Sequence, residues 1–217
     1  ADDLSLELAL KAAKPLVIHG RDGVSRKADG EGRASHYYSF TRLSSEGVLR
    51  MGNEQIAVSG LSWFDHEWAT NQLAANQVGW DWFSLQFDDG SDLMLFQIRT
   101  KGGGRDPNSA GTFVDAKGVA TPLVEADFTL DPVETWSSSE SGGHYPVTWR
   151  ITIPRLQMRF DVSAALKDQE LRLKPIMYWE GAIRAEGTVA ERNIKGSGYL
   201  EMTGYAGPVA GVAEPEP

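Results

Sequence analysis

The 217-residue sequence has no cysteine. Disulfides, thiolate metal sites and a cysteine nucleophile are thereby excluded. Histidine is scarce, with four in the chain, and no His-Glu-x-x-His pattern occurs. Metal chemistry has few ligands to draw on, and no metal is expected. No stretch approaches the roughly 20 apolar residues of a membrane-spanning helix, so no integral span is expected. No leader pattern is visible at Ala1. Basic charge is in deficit: 21 Lys and Arg stand against 30 Asp and Glu, a net charge of −9. That balance argues against nucleic acid or an anionic membrane surface as partner. Long helical periodicity is also missing, which turns the fold towards strands.

What is present supports an ordinary globular chain: 41% hydrophobic residues with 23 Gly and 10 Pro. Leu4 to Leu10 alternate as a strand, and Gly20 to Gly32 reads as a loop. Phe40 through Met51 reads as two short strands joined near Ser44 to Gly47. A Gly52-Asn53 turn then leads into Gln55 to Ser59. Thr70 to Val78 reads as a loop or short helical turn. Short strands are expected at Thr112 to Val114 and Asp127 to Leu130, around a turn at Asp115 to Gly118. A hairpin about Pro154-Arg155 joins Val147–Ile153 to Leu156–Val162. Leu171 to Lys174, Ile176 to Thr188 and Ser197 to Tyr205 complete the set. Short strands at regular spacing with turn signals between them indicate an all-β sandwich or barrel. The tail from Gly207, rich in Pro, Ala and Glu, is expected to be disordered.

The stretch from Ser59 to Arg99 holds four of the seven Trp. Asp89-Gly90 is a two-residue hairpin signal. It predicts Phe83 opposite Phe96 and Leu85 opposite Met94 on a core face. The other face then carries Trp80, Trp82, Gln97 and Arg99, a mixture of rings and hydrogen-bonding groups suited to a ligand cavity. Upstream, strand alternation puts Trp63, Asp65 and Glu67 on one side. A carboxyl among so much aromatic surface is costly to ionise and can hold a proton near neutral pH. His36, Tyr38 and Phe40 share a strand face in the same way. Glu180 and Glu201 follow aromatics two positions back, Tyr178 and Tyr199, and could line the same cavity. Ion pairing with Arg99, Arg150 or Arg184 is the plainer role for these two acids. The glycines of Lys101 to Gly104 match no phosphate-binding motif, and Gly196-Ser197-Gly198 is no hydrolase elbow. His19 and His144 suggest no role.

Gly60-Leu61-Ser62-Trp63-Phe64-Asp65-His66-Glu67-Trp68, followed by Gly79-Trp80-Asp81-Trp82-Phe83, resembles the AttH family of lipocalin-like proteins, which is related to the carotenoid 1,2-hydratases. The resemblance extends to Lys14–Gly20, Ala34–Ser39, Tyr178–Ala182 and Gly198–Tyr205. It implies a lipocalin-like antiparallel meander barrel over residues 34–206, with 1–33 as a strand and loop linked to a preceding barrel and 207–217 as the tail. In the usual two-barrel architecture this chain would correspond to the second barrel, and the first is an expected partner domain. Family members are often exported bacterial proteins, which implies a periplasmic or secreted setting.

The hydratases are similar in having a His-x-aromatic pair and an aromatic-x-Asp pair in this order and spacing, with Trp at the position of Tyr38 and Tyr at that of Trp63. The resemblance thus implies His36, Tyr38, Trp63 and Asp65 as catalytic positions. Trp80, Trp82, Gln97, Arg99, Tyr178 and Glu180 are the expected substrate-binding residues. The implied chemistry is acid-catalysed hydration of a terpenoid or polyene-like apolar molecule. Asp65 would give the proton, Trp63 and Tyr38 would face the cation, and His36 would orient water. No cofactor is required. A non-catalytic lipocalin-like module for a lipid or apolar ligand is the alternative.

Overall fold

The computed structural model describes residues 4–69, 73–173, 176–207 and 209. Its strands are β1 (Leu4–Ala12), β2 (Val17–Ile18), β3 (Val24–Arg26), β4 (Ala34–Met51) and β5 (Glu54–Trp68), then β6 (Gln77–Phe87), β7 (Asp92–Thr100), β8 (Ala110–Val114), β9 (Ala120–Val124) and β10 (Thr129–Ser137). They continue as β11 (His144–Ile153), β12 (Met158–Ala164), β13 (Glu170–Leu173), β14 (Ile176–Val189) and β15 (Arg192–Thr203). Among the described residues the only helical pieces are two single 3-10 turns, at Glu125–Asp127 and Pro154–Leu156. No helix of the described residues is long and apolar enough to cross a membrane.

Two antiparallel sheets form. In the smaller, β4 is the hub: β1, β2 and β3 pair along one edge and β5 along the other. The larger has ten strands in the order β10-β11-β12-β14-β15-β6-β7-β8-β9, with β13 beside β14. Its ladder is antiparallel throughout, the curled lipocalin-like arrangement that the short, evenly spaced strands imply.

Phe40 to Met51 is not two short strands. It lies in one 18-residue strand from Ala34. The Ser44–Gly47 segment looks turn-like by composition, but Lys11 and Ala9 pair with it on one side and Leu61 and Ser59 on the other. A ladder on both edges overrides local preference. The irregularity falls earlier, at a bulge between Phe40 and Leu43. Strand β9, absent from the sequence reading, occupies Ala120–Val124.

The turn after β6 corrects the expected register. It closes through Phe87 N–H to Ser91 O at 2.9 Å and Gly90 N–H to Phe87 O at 3.1 Å. The loop is therefore three residues, Asp88-Asp89-Gly90, with Gly90 left-handed at φ +85°. Asp89 Oδ1 accepts from Ser91 N at 2.8 Å and helps to fix this loop. The extra residue moves the pairing by one. Phe83 opposes Leu95, Trp82 opposes Phe96 and Trp80 opposes Ile98. A one-residue slip exchanges faces. Gln97 and Arg99 consequently lie with Asp81 and Gly79, across the sheet from Trp80 and Trp82.

One face of the large sheet closes on itself as the main core. Phe83, Leu95, Ile151, Phe160, Trp179 and Leu200 are buried there. Trp149 meets Phe83 edge to face at 5.6 Å, and its indole N–H is satisfied by Pro146 O at 3.0 Å. The other face packs against β4 and β5 through Tyr37, Met94, Phe96 and Ile98, with Trp63, Trp80 and Trp82 at the margin. Asp92 pins the two sheets together. It is fully buried, forms an ion pair with Lys14 Nζ at 2.7 Å, and accepts Thr41 Oγ1 at 2.9 Å and Arg42 Nε at 3.0 Å. Such a multiply bonded buried carboxylate fixes geometry more surely than it adds stability. Leu4, Leu6, Leu8 and Leu10 of β1 share an open apolar face with Met51 and Ile56.

Candidate functional site

Because β4 and β5 pack on the outer face of the large sheet, the main cavity lies between the sheets. It has a volume of about 370 Å³. Trp80 and Trp82 of β6, Phe96 and Ile98 of β7 and Tyr178 of β14 supply its apolar wall, with β15 lying between β14 and β6. The facing wall carries Tyr37 and Ser35 of β4, Asp65 and Glu67 of β5, and Lys27. Glu201 and Glu180, direct neighbours on β15 and β14, enter from the large sheet.

Asp65 is the most elaborated group. Trp63 Nε1 donates to its Oδ1 at 2.6 Å, and Ser39 Oγ also donates to Oδ1. Tyr37 Oη donates to Oδ2 at 2.8 Å, and that phenol oxygen accepts Trp82 Nε1 at 3.0 Å. Among the described residues no Lys or Arg pairs with Asp65. Burial raises its pKa above the usual carboxyl value; the three donors oppose that rise without reversing it. With Oδ1 taking two donors and Oδ2 one, the free lone pair for a proton is on Oδ2.

Tyr37→Phe should remove one donor to the charged form and raise the Asp65 pKa by about one further unit. A carboxyl ¹³C titration by NMR reads this directly, and an unmoved or lowered midpoint would contradict the assignment of Tyr37 as donor.

A second carboxyl, Glu201, takes Trp80 Nε1 at 2.6 Å. Burial pushes it up to about 7, partly opposed by the Trp80 bond and assisted by the nearby Glu180, Glu67 and Asp65 charges. Lys27 lies 3.8 Å over the Phe96 ring and 2.8 Å from Glu67 Oε1. Burial lowers its pKa, although Glu67 and Asp65 favour its charged form.

The site thus differs from the expected one at several positions. His36 and Tyr38 face away from Asp65. They pair with Trp68 and His66 across the β4–β5 ladder and stack there, at 5.2 Å for each ring pair. The reason is strand parity: Ser39, not Tyr38, is opposite Asp65, so the odd-numbered residues of β4 share its face. Tyr37 stands where Tyr38 was expected. Gln97 and Arg99 also lie outside the cavity. Gln97 Nε2 donates to Asp81 Oδ2 at 2.7 Å, and Arg99 Nε lies 3.2 Å from the same oxygen, with its guanidinium 3.8 Å over Tyr205. Arg99 and Arg150 pair with Asp81 and Asp161, not with Glu201. Trp63 touches Asp65, while Trp80, Trp82, Tyr178 and Glu180 line the cavity.

This geometry can be set beside known proteins. The AttH-like family model matches residues 1–205. The chain belongs to the AttH family. A crystal structure of an AttH protein from Nitrosomonas europaea is 35% identical over 95% of this chain, with a TM-score of 0.85. Kievitone hydratase from Nectria haematococca superposes over the same share at a TM-score of 0.75 and 20% identity, a likeness of fold. The chain spans 63% of the length of each. No curated protein matches it.

Proposed function

We propose that this AttH-family chain binds an apolar, unsaturated small molecule of terpenoid or polyene type in the inter-sheet cavity and adds water to it by acid catalysis. The observation that carries this reading is the desolvated Asp65 carboxyl facing an aromatic wall, with no cation among the described residues paired to it. Asp65 Oδ2–H protonates one alkene carbon; the π pair forms the new C–H bond and leaves a cation on the neighbouring carbon. The faces of Trp82 and Trp80 oppose that charge. Water adds to the cation, and its surplus proton passes to the Glu201 carboxylate, the second acid whose pKa suits neutral pH. Returning that proton to Asp65 through water completes the cycle. The hydratase named among the structural neighbours supports this class of reaction by fold. The open leucine face of β1 supports an adjoining barrel as cover.

A site built for a carbocation should also prefer an ammonium analogue. A tertiary amine on a polyene-like chain is expected to bind about tenfold more tightly than its neutral hydrocarbon isostere at pH 7. Quenching of Trp80 and Trp82 fluorescence measures both affinities. Failure of both molecules to bind would remove the cavity from consideration, and equal affinities would remove the cation-stabilising role.

A further inference from the structure

His19 follows β2, and its backbone N–H donates to Tyr37 O at 3.0 Å. The next residue, Gly20, has φ +69°, and a Cβ there would lie 2.2 Å from Val24 O, so only glycine lets the chain close at this point. The imidazole is 1% exposed and lies 4.3 Å from the Tyr37 ring. Nδ1 is 2.8 Å from Thr112 Oγ1 of β8, and Nε2 is 2.7 Å from Ser39 Oγ of β4. Ser39 Oγ bonds in turn to Asp65 Oδ1. Thr112, His19, Ser39 and Asp65 thus form one buried chain of hydrogen bonds.

The direction of that chain follows from its end. Ser39 has one proton, and it donates it to Asp65. Its oxygen must then accept from His19, which requires a proton on Nε2. Nδ1 is left bare and accepts from Thr112. We infer that His19 is a positioning residue for Asp65: held neutral as the Nε2–H tautomer, it commits Ser39 to Asp65 Oδ1 and leaves Oδ2, on the Tyr37 side, as the protonated oxygen. The inference rests on Asp65 being the site acid. Burial, and secondarily the Lys27 charge, keep the ring neutral, lowering its pKa to about 3. The titratable groups around it are Lys27, Tyr37 with its hydroxyl on Asp65, and, through Ser39, Asp65 itself.

Three readouts test this, and none needs substrate, so the result stands apart from the hydration reading. Long-range ¹⁵N NMR of the intact chain should show His19 as a neutral Nε2–H imidazole from about pH 5 to 8. An Nδ1–H tautomer or an imidazolium in that range would overturn the inference. In His19→Leu, Ser39 is free to accept from a protonated Asp65, so the Asp65 ¹³C midpoint should rise by about one unit. His19→Gln keeps a donor for Ser39 and an acceptor for Thr112, and should hold that midpoint at the wild-type value. A purely packing role would separate neither variant from wild type at Asp65. Should His19→Leu fail to fold, Thr112→Val is nearly isosteric and leaves the Ser39–Asp65 end of the chain intact, so the ring should stay Nε2–H there. An Nδ1–H ring in Thr112→Val would overturn the direction of the chain.

Discussion

Asp65→Asn should cut turnover of an unsaturated apolar substrate by about 10²–10⁴-fold, the usual range for loss of a general acid, while leaving affinity within a few fold. Asn keeps the shape of Asp. Its carbonyl oxygen can still accept Ser39 and Trp63, and its NH₂ can face the Tyr37 oxygen, which already accepts Trp82. The cavity walls are therefore preserved, and only the transferable proton is lost. Binding measured by Trp fluorescence separates the two effects. Unchanged chemistry in Asp65→Asn would leave a binding module, with Asp65 as a structural carboxylate on three donors. Loss of binding together with turnover would point instead to collapse of the Trp63–Asp65–Tyr37 network.

The all-β class and most hairpins were legible because they rest on local signals. Pro154-Arg155, Gly52-Asn53 and the Asp115–Gly118 turn all sit where the sequence puts them. The β6–β7 register was not legible to one residue. Asp88-Asp89-Gly90 contains a good two-residue signal inside a three-residue loop, and the choice between them depends on Ser91 bonding back to Asp89. That single residue moved Gln97 and Arg99 from the cavity to Asp81.

The site was legible only within strands. Trp63 and Asp65 sharing a face follows from alternation alone. Which face of β4 meets them depends on pairing register between two strands, and parity selects Tyr37 and Ser39 over His36 and Tyr38. His19 lies 20 residues from Ser39 and 93 from Thr112, and no periodicity links three elements from different parts of two sheets. Glu201 stands among plausible arginine partners in sequence, but Arg99 and Arg150 are taken by Asp81 and Asp161. Burial beside Trp80, not charge pairing, decides its behaviour.

Glu201 should therefore make the protein less stable as the pH rises through neutrality. Its pKa is about 7 when folded and returns to the ordinary carboxyl value of 4.5 when unfolded. Between those values the folded chain holds the extra proton, so folding is favoured at the acid end and loses that advantage as pH increases. The full difference is about 3 kcal/mol, present below about pH 4.5 and gone above about pH 7. Glu201→Gln has nothing to titrate, and its amide oxygen can still accept Trp80 Nε1. Relative to wild type it should gain about 2.5 kcal/mol between pH 5 and pH 8.5 in urea unfolding, the rest of the difference being lost already below pH 5. Asp81 is also raised by burial, but it contributes equally to both proteins and cancels in the difference. Parallel stability curves across that range would mean that Glu201 ionises normally, and would remove it as the proton acceptor for the attacking water.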